Sequence, residues 1–154
     1  MLNMLSSYQG ISKDAKLLVY QSILPSVAFG LFFTDISYFL TTVQGLSYSF
    51  MGLVITIMGI TTFVVSIPLG LASDKYGRKK TLIIGNLVSG LTLLVFAFTK
   101  SPEILIVAAV LEGVSEAAFS ASSGAWLAEK TDNTKRTGVF SLYGFAQSLS
   151  FGIG

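Results

Sequence analysis

The stretch GLASDKYGRKK, residues Gly70 to Lys80, sets one acid and four bases between two long apolar runs. Elsewhere charge is scarce: charged residues make up 12% of the 154 and hydrophobic residues 52%, against about 25% charged in ordinary soluble domains. Mean hydropathy is +0.72. A soluble domain of this length needs a charged shell that these residues do not supply. The composition is that of an integral membrane protein, and the runs on either side of the charged stretch are read as spanning helices.

Upstream, residues 50–72 form one such span, holding Pro68 and many Gly, Thr and Ser. Before it, the uncharged turn QGLSYS (Gln44 to Ser49) follows a first span at 16–43, which is interrupted by Pro25 and Asp35. At a rise of about 1.5 Å per residue each run is long enough to cross a hydrocarbon core of about 30 Å. Downstream come a third span at 81–99, the tight turn KSP, a fourth span at 103–127, the charged loop AEKTDNTKR and a fifth apolar run at 137–154. That last run stops without a closing cap or flanking charge, so the chain is expected to be part of a longer bundle. Residues 1–15 are mixed and weakly amphipathic, with no short apolar core and small-residue cleavage site, so no cleavable signal peptide is expected. The fold expected is all-α, an integral membrane bundle of about five transmembrane helices.

Lys13, Lys16, Lys75, Arg78, Lys79, Lys80, Lys130, Lys135 and Arg136 fall on one side of this arrangement and Lys100 on the other. The positive-inside bias makes the first side cytoplasmic, with the N-terminal segment 1–15 on it. Tyr38, Phe39, Tyr48 and Phe50 near the outer ends, and Trp126 at the inner end of the fourth span, suit interfacial aromatic belts, although lipid-facing bulk would account for each one singly.

Several function classes fall away. The sequence has no Cys and no His, which removes disulfide and thiolate chemistry together with the commonest general base and metal ligand. No metal site and no cofactor are expected. The bases cluster beside apolar runs and not along a polar face, so nucleic acid is not an expected partner. An integral membrane enzyme would have only a pair of glutamates to work with.

A stop-transfer signal needs bases alone, so Asp74, Gly70 and Gly77 call for another explanation. Here the sequence resembles the major facilitator superfamily of secondary transporters. Its signature between the second and third helices is a glycine, three residues, an aspartate, a basic residue, any residue, a glycine, an arginine and further bases. Gly70, Asp74, Lys75, Gly77, Arg78, Lys79 and Lys80 match in order. The resemblance implies that the chain supplies roughly the first five of twelve helices, within an N-terminal six-helix half. It also implies a cytoplasmic latch, in which Asp74 is the latch acid, Arg78 its clamp and Glu129 the acid closing the fourth span. One departure stands out: the family often has an arginine early in the fourth helix, and Ala109 occupies the corresponding place.

Away from the span ends, three acids lie in the apolar runs: Asp35 in the first, Glu112 and Glu116 in the fourth. An acid in hydrocarbon costs several kcal/mol unless it faces a polar cavity, finds a partner or is protonated, so each is a candidate for binding substrate or proton. Glu112 and Glu116 are four residues apart and share a helix face. Beside them Gly113, Ala117, Ala121 and Ala125 make a small-residue stripe that admits a neighbouring helix closely. The expected function is secondary transport of a small solute by alternating access, coupled to protons, within a cell inner or plasma membrane. With no Lys or Arg inside the spans beyond Lys16 at the start of the first, a cationic or neutral solute fits better than an anion. The competing expectation is a membrane-embedded fragment or assembly module that moves nothing and needs a partner, or the missing helices, to cover its acids.

Overall fold

The computed structural model describes residues 13–154, and among them all regular structure is helical. Of the expected N-terminal segment, residues 1–12 lie outside the described residues. Five helices follow in order: α1 (Lys13–Tyr38, continued by a π-helical turn at Phe39–Val43), α2 (Tyr48–Tyr76), α3 (Arg78–Phe98), α4 (Pro102–Glu129) and α5 (Arg136–Ile153). The first four are long and apolar enough to cross a membrane. The fifth is 18 residues long.

Local chemistry explains the boundaries. The Ser47 hydroxyl accepts from the Phe50 N–H at 3.1 Å and so caps α2, satisfying one of the donors that every helix start leaves free. Pro102 opens α4, where its missing N–H costs nothing. Gly77 stands between α2 and α3 at φ 104°. Its N–H closes α2 on the Ser73 carbonyl at 3.0 Å, and its own carbonyl accepts from Thr81 N–H at 3.2 Å. The charged stretch expected as a loop is therefore helical on both sides of a one-residue break. Pro25 and Pro68 lie inside α1 and α2, which continue through them.

The chain divides into two compact units, one holding residues up to Thr34 with Gly124–Gly154, the other Asp35–Ser123. In the second unit α4 is clasped on two faces. A side chain at Gly113 would stand 2.6 Å from the Met58 carbonyl oxygen and 2.7 Å from Thr61 Cβ of α2, and the Thr62 hydroxyl lies within donating reach of both the Gly113 carbonyl at 3.1 Å and the Met58 carbonyl at 2.9 Å. On α3, a Cβ at Gly85 would lie 3.1 Å from Ala118 Cβ and 3.3 Å from the Ser115 carbonyl oxygen. The hydroxyls of Ser73 and Ser122, both fully buried, meet at 2.9 Å. Lipid tails are as apolar as leucine, so burying leucine drives membrane helices together very little. Close backbone approach and hydroxyl bonds do that work instead, and the small-residue stripe begins where α2 lies nearest, at Gly113 and the buried Ala117.

The first unit uses the same device. Gly30 of α1 sits against the Phe151 carbonyl of α5, and Gly154 against that of Val27. Phe29, Phe33 and Phe151 pack with tilted rings, their centroids 6.0–6.4 Å apart. Trp126, expected at an interface, is instead buried at 8% exposure. Tyr38 and Tyr48 are exposed as the belt reading expects. Large apolar side chains point outward along α2 and α3, among them Phe63, Ile67, Leu87 and Phe98. Buried leucines such as Leu82 and Leu105 fill the interior beside these small and hydroxyl contacts, while many large apolar side chains face outward, as suits a protein whose solvent is lipid.

Candidate functional site

Two groups of the expected residues take definite geometry. The first surrounds the α2–α3 break. Asp74 lies in the last turn of α2, and its Oδ1 accepts from Arg78 Nη1 at 2.7 Å across Gly77. Arg78 is the better covered of the two, with its side chain 20% exposed against 55% for Asp74. Lys75 places its ammonium 5.5 Å from the centre of the Tyr76 ring, within reach of the ring's negative face. Lys79 and Lys80 extend the basic cluster and are exposed. Gly70 is helical, with open space where a side chain would project. Gly77 has the positive φ that glycine alone adopts without strain.

Glu129, expected as the third member of this group, is the last residue of α4 and belongs to the other unit. There the Arg136 guanidinium donates from Nη2 to the Ala128 carbonyl at 3.1 Å. A cation at a helix C-terminus, where carbonyls lack partners, is favourable.

The second group lies inside the bundle. Glu112 is 1% exposed. Its Oε1 accepts from Ser89 Oγ at 2.7 Å, and its Oε2 is hydrogen-bonded to Thr92 Oγ1. Ser89 and Thr92 stand three residues apart on α3, so both face α4. Glu116, one turn along from Glu112, is partly exposed. Asp35 is exposed near the end of α1, and no hydrogen bond or ion pair among the described residues joins it to either glutamate. Ala109, at the place where the resemblance leads one to expect an arginine, is fully buried against its neighbours. Among the described residues no cluster of acids could hold a metal ion.

Sequence reasoning missed Ser89 and Thr92. Their signal was faint: two hydroxyls at helical spacing in a mostly apolar helix that also holds Asn86, opposite a helix with an acid. It also missed Gln44, whose Nε2 donates to the carbonyls of Phe96 at 3.1 Å and Thr99 at 2.9 Å. That amide ties the turn after α1 to the end of α3.

Set against known proteins, residues 21–154 match the sequence model described as Major Facilitator Superfamily. Among curated relatives, the chain is 32% identical over 110 residues to the "Inner membrane transport protein YajR" of Escherichia coli, covering 71% of this chain and 24% of that protein. It is 33% identical over 104 residues to the "Uncharacterized MFS-type transporter YqjV" of Bacillus subtilis, covering 68% of this chain and 25% of the relative. To "Multidrug resistance protein 2" of the same organism it is 30% identical over 112 residues, covering 73% and 28%. The chain thus spans about a quarter of the length of such relatives. No solved structure matches it significantly.

Proposed function

This chain belongs to the major facilitator superfamily, and from that premise we propose that it is the N-terminal part of a secondary transporter that moves a small cationic or neutral solute by alternating access, coupled to protons. Rocking of two helical halves about a midplane site is the physical scheme. In this reading Gly70, Asp74, Lys75, Gly77, Arg78, Lys79 and Glu129 form a cytoplasmic latch that biases one conformational state. Asp35, Glu112 and Glu116 bind the coupling proton or a cationic part of the solute.

The observation that carries the latch is the Asp74–Arg78 ion pair across Gly77, within the stretch whose spacing matches the family signature. An ionised Asp74, already partnered by a guanidinium, is poised to accept further donors from another part of the transporter. The excess of Lys and Arg at the α2–α3 and α4–α5 connections supports a cytoplasmic placement for both, and with them the N-terminus. A relative named as an inner membrane transport protein supports a cell inner or plasma membrane. The absence of Lys and Arg from the apolar spans, apart from Lys16 at the start of the first, disfavours an anionic solute.

The test is uptake of a fluorescent lipophilic cation, with lumenal pH followed in parallel, in liposomes carrying the chain or a longer polypeptide in which it stands. Uptake that drives proton movement and is slowed by Asp74→Asn is the expected result. Uptake indifferent to Asp74→Asn overturns the latch. A chain that binds a partner polypeptide and moves nothing is an assembly module instead.

A further inference from the structure

The hydrogen bonds around Glu112 can be counted, and the count assigns a proton. Thr92 Oγ1 lies at 2.8 Å from the Ser89 carbonyl oxygen, to which it donates. It is also bonded to Glu112 Oε2. A threonine hydroxyl carries one hydrogen and can serve only one of these acceptors at a time, whereas its oxygen can still accept. With the hydrogen directed at Ser89, the hydrogen shared by Thr92 and Glu112 must come from the carboxyl. Protonated Glu112 then completes a closed set: Oε2–H donates to Thr92 Oγ1, Thr92 donates to the Ser89 carbonyl, and Ser89 Oγ donates back to Glu112 Oε1. Every donor has an acceptor.

The ionised alternative fares worse. Thr92 would have to turn from the carbonyl to the carboxylate, leaving an enclosed negative charge with two hydroxyl donors and no cation. The elements packed against Glu112 supply none: α2 carries no Asp, Glu, Lys or Arg from Tyr48 to Ser73, nor does α3 from Thr81 to Phe98. On α4 itself the neighbouring titratable group is Glu116, another acid. An unpaired charge in hydrocarbon costs several kcal/mol. A metal ion fits no better, since oxygens that ligate a common hard cation stand about 3 Å or more apart, and Ser89 Oγ and Glu112 Oε1 are at hydrogen-bond distance, 2.7 Å.

We propose that Glu112 is a buried proton-binding site between α3 and α4, with Ser89 and Thr92 as its positioning residues. The inference rests on the proton-coupled reading above and narrows it. Of the three candidate acids it gives the proton to Glu112, leaving Asp35 and Glu116, which retain accessible surface, to meet the solute. Loss of the proton frees Thr92 Oγ1 to leave the Ser89 carbonyl, so the protonation state is reported to the backbone of α3.

Infrared spectroscopy of the chain in phosphatidylcholine vesicles tests this without requiring transport. The expected result is a protonated-carboxyl C=O band that persists at neutral pH, where ordinary carboxyls with values of about 4 are ionised. It disappears in Glu112→Gln, remains in Glu116→Gln and Asp35→Asn, and shifts in frequency in Thr92→Val and Ser89→Ala. Glutamine at 112 reproduces the neutral acid, accepting from Ser89 and donating to Thr92, so that variant should keep the wild-type amide I band. Absence of the band from the wild-type chain at neutral pH overturns the proposal, as does its survival undiminished in Glu112→Gln. A band that vanishes when sodium replaces choline in the buffer overturns it in favour of a sodium site. The band with no flux sinks the transport reading and leaves the proton site standing, while flux without the band does the reverse.

Discussion

Asp74 and Arg78 are joined by a 2.7 Å ion pair whose two ends belong to different helices, because Gly77 between them is where α2 stops and α3 begins. Four-residue spacing usually makes such a pair a brace along one helix. Here it bridges a break, so its geometry depends on the angle between α2 and α3, and a device that senses relative helix movement can be built on it.

The first prediction follows from the exposure of the pair. With the Asp74 side chain 55% exposed, water screens the attraction and its net worth is at most about 1 kcal/mol. Asp74→Asn should therefore leave the thermal unfolding midpoint in detergent nearly unchanged while slowing transport. A large fall in that midpoint, followed by circular dichroism, would make the pair a structural clamp and not a latch.

The two glycines of the stretch should respond in opposite ways. Neither Gly70 nor Gly77 has an atom within 4 Å of where a Cβ would stand, so clashes decide nothing at either place. Conformation decides instead. Gly77→Ala forces an L side chain to a φ of 104° and should destabilise by about 1–3 kcal/mol. Gly70→Ala exchanges a poor helix former for the best one and should stabilise by up to about 1 kcal/mol. Unfolding midpoints of the two variants, measured side by side, check the sign of each.

How much of this was legible beforehand varies with the physics involved. Membrane spans follow from unbroken apolar length, and the runs read at 81–99 and 103–127 lie close to the helices Arg78–Phe98 and Pro102–Glu129. The run at 50–72 falls short of Tyr48–Tyr76 because hydropathy ends where charge begins, whereas backbone hydrogen bonding carries on through Asp74 and Lys75. The spacing Gly70-x-x-x-Asp74 was visible as a motif, but only the folded backbone separates a helical Gly70 from a turn at Gly77. Glu112 stood out because acids are rare in such spans. Its partners did not, since serine and threonine are common in membrane helices and their pairing depends on how α3 and α4 are rotated. Trp126 was misjudged for a related reason: its place near a helix end suggested an interface, and packing buried it.

Close approach of α2 and α4 gives the third prediction. A methyl group at Gly113 would stand 2.6 Å from the Met58 carbonyl oxygen, on a backbone that cannot rotate aside. Gly113→Ala should therefore push the helices apart, loosen the Thr62 bond to the Gly113 carbonyl and cost about 1–3 kcal/mol. Gly124→Ala, on the same helix with open space around it, is the matched control and should be neutral or stabilising. Equal melting of the two variants would mean that the small-residue stripe does not set the helix spacing.

The fourth prediction concerns the end of the second unit away from the charged break. Gln44 donates from its amide nitrogen to two carbonyls at the end of α3, those of Phe96 and of Thr99 just beyond it. Gln44→Ala should cost about 1 kcal/mol for each bond lost and speed hydrogen exchange at the last turn of α3. Gln44→Glu should be worse than alanine at neutral pH, because it sets a carboxylate against two carbonyl oxygens where the amide had donated. It should recover as the buffer is acidified and the new carboxyl gains a hydrogen to donate. Exchange at α3 that is the same in all three proteins would show that the turn after α1 does not hold that end, and that α3 is fixed by its packing against the neighbouring helices.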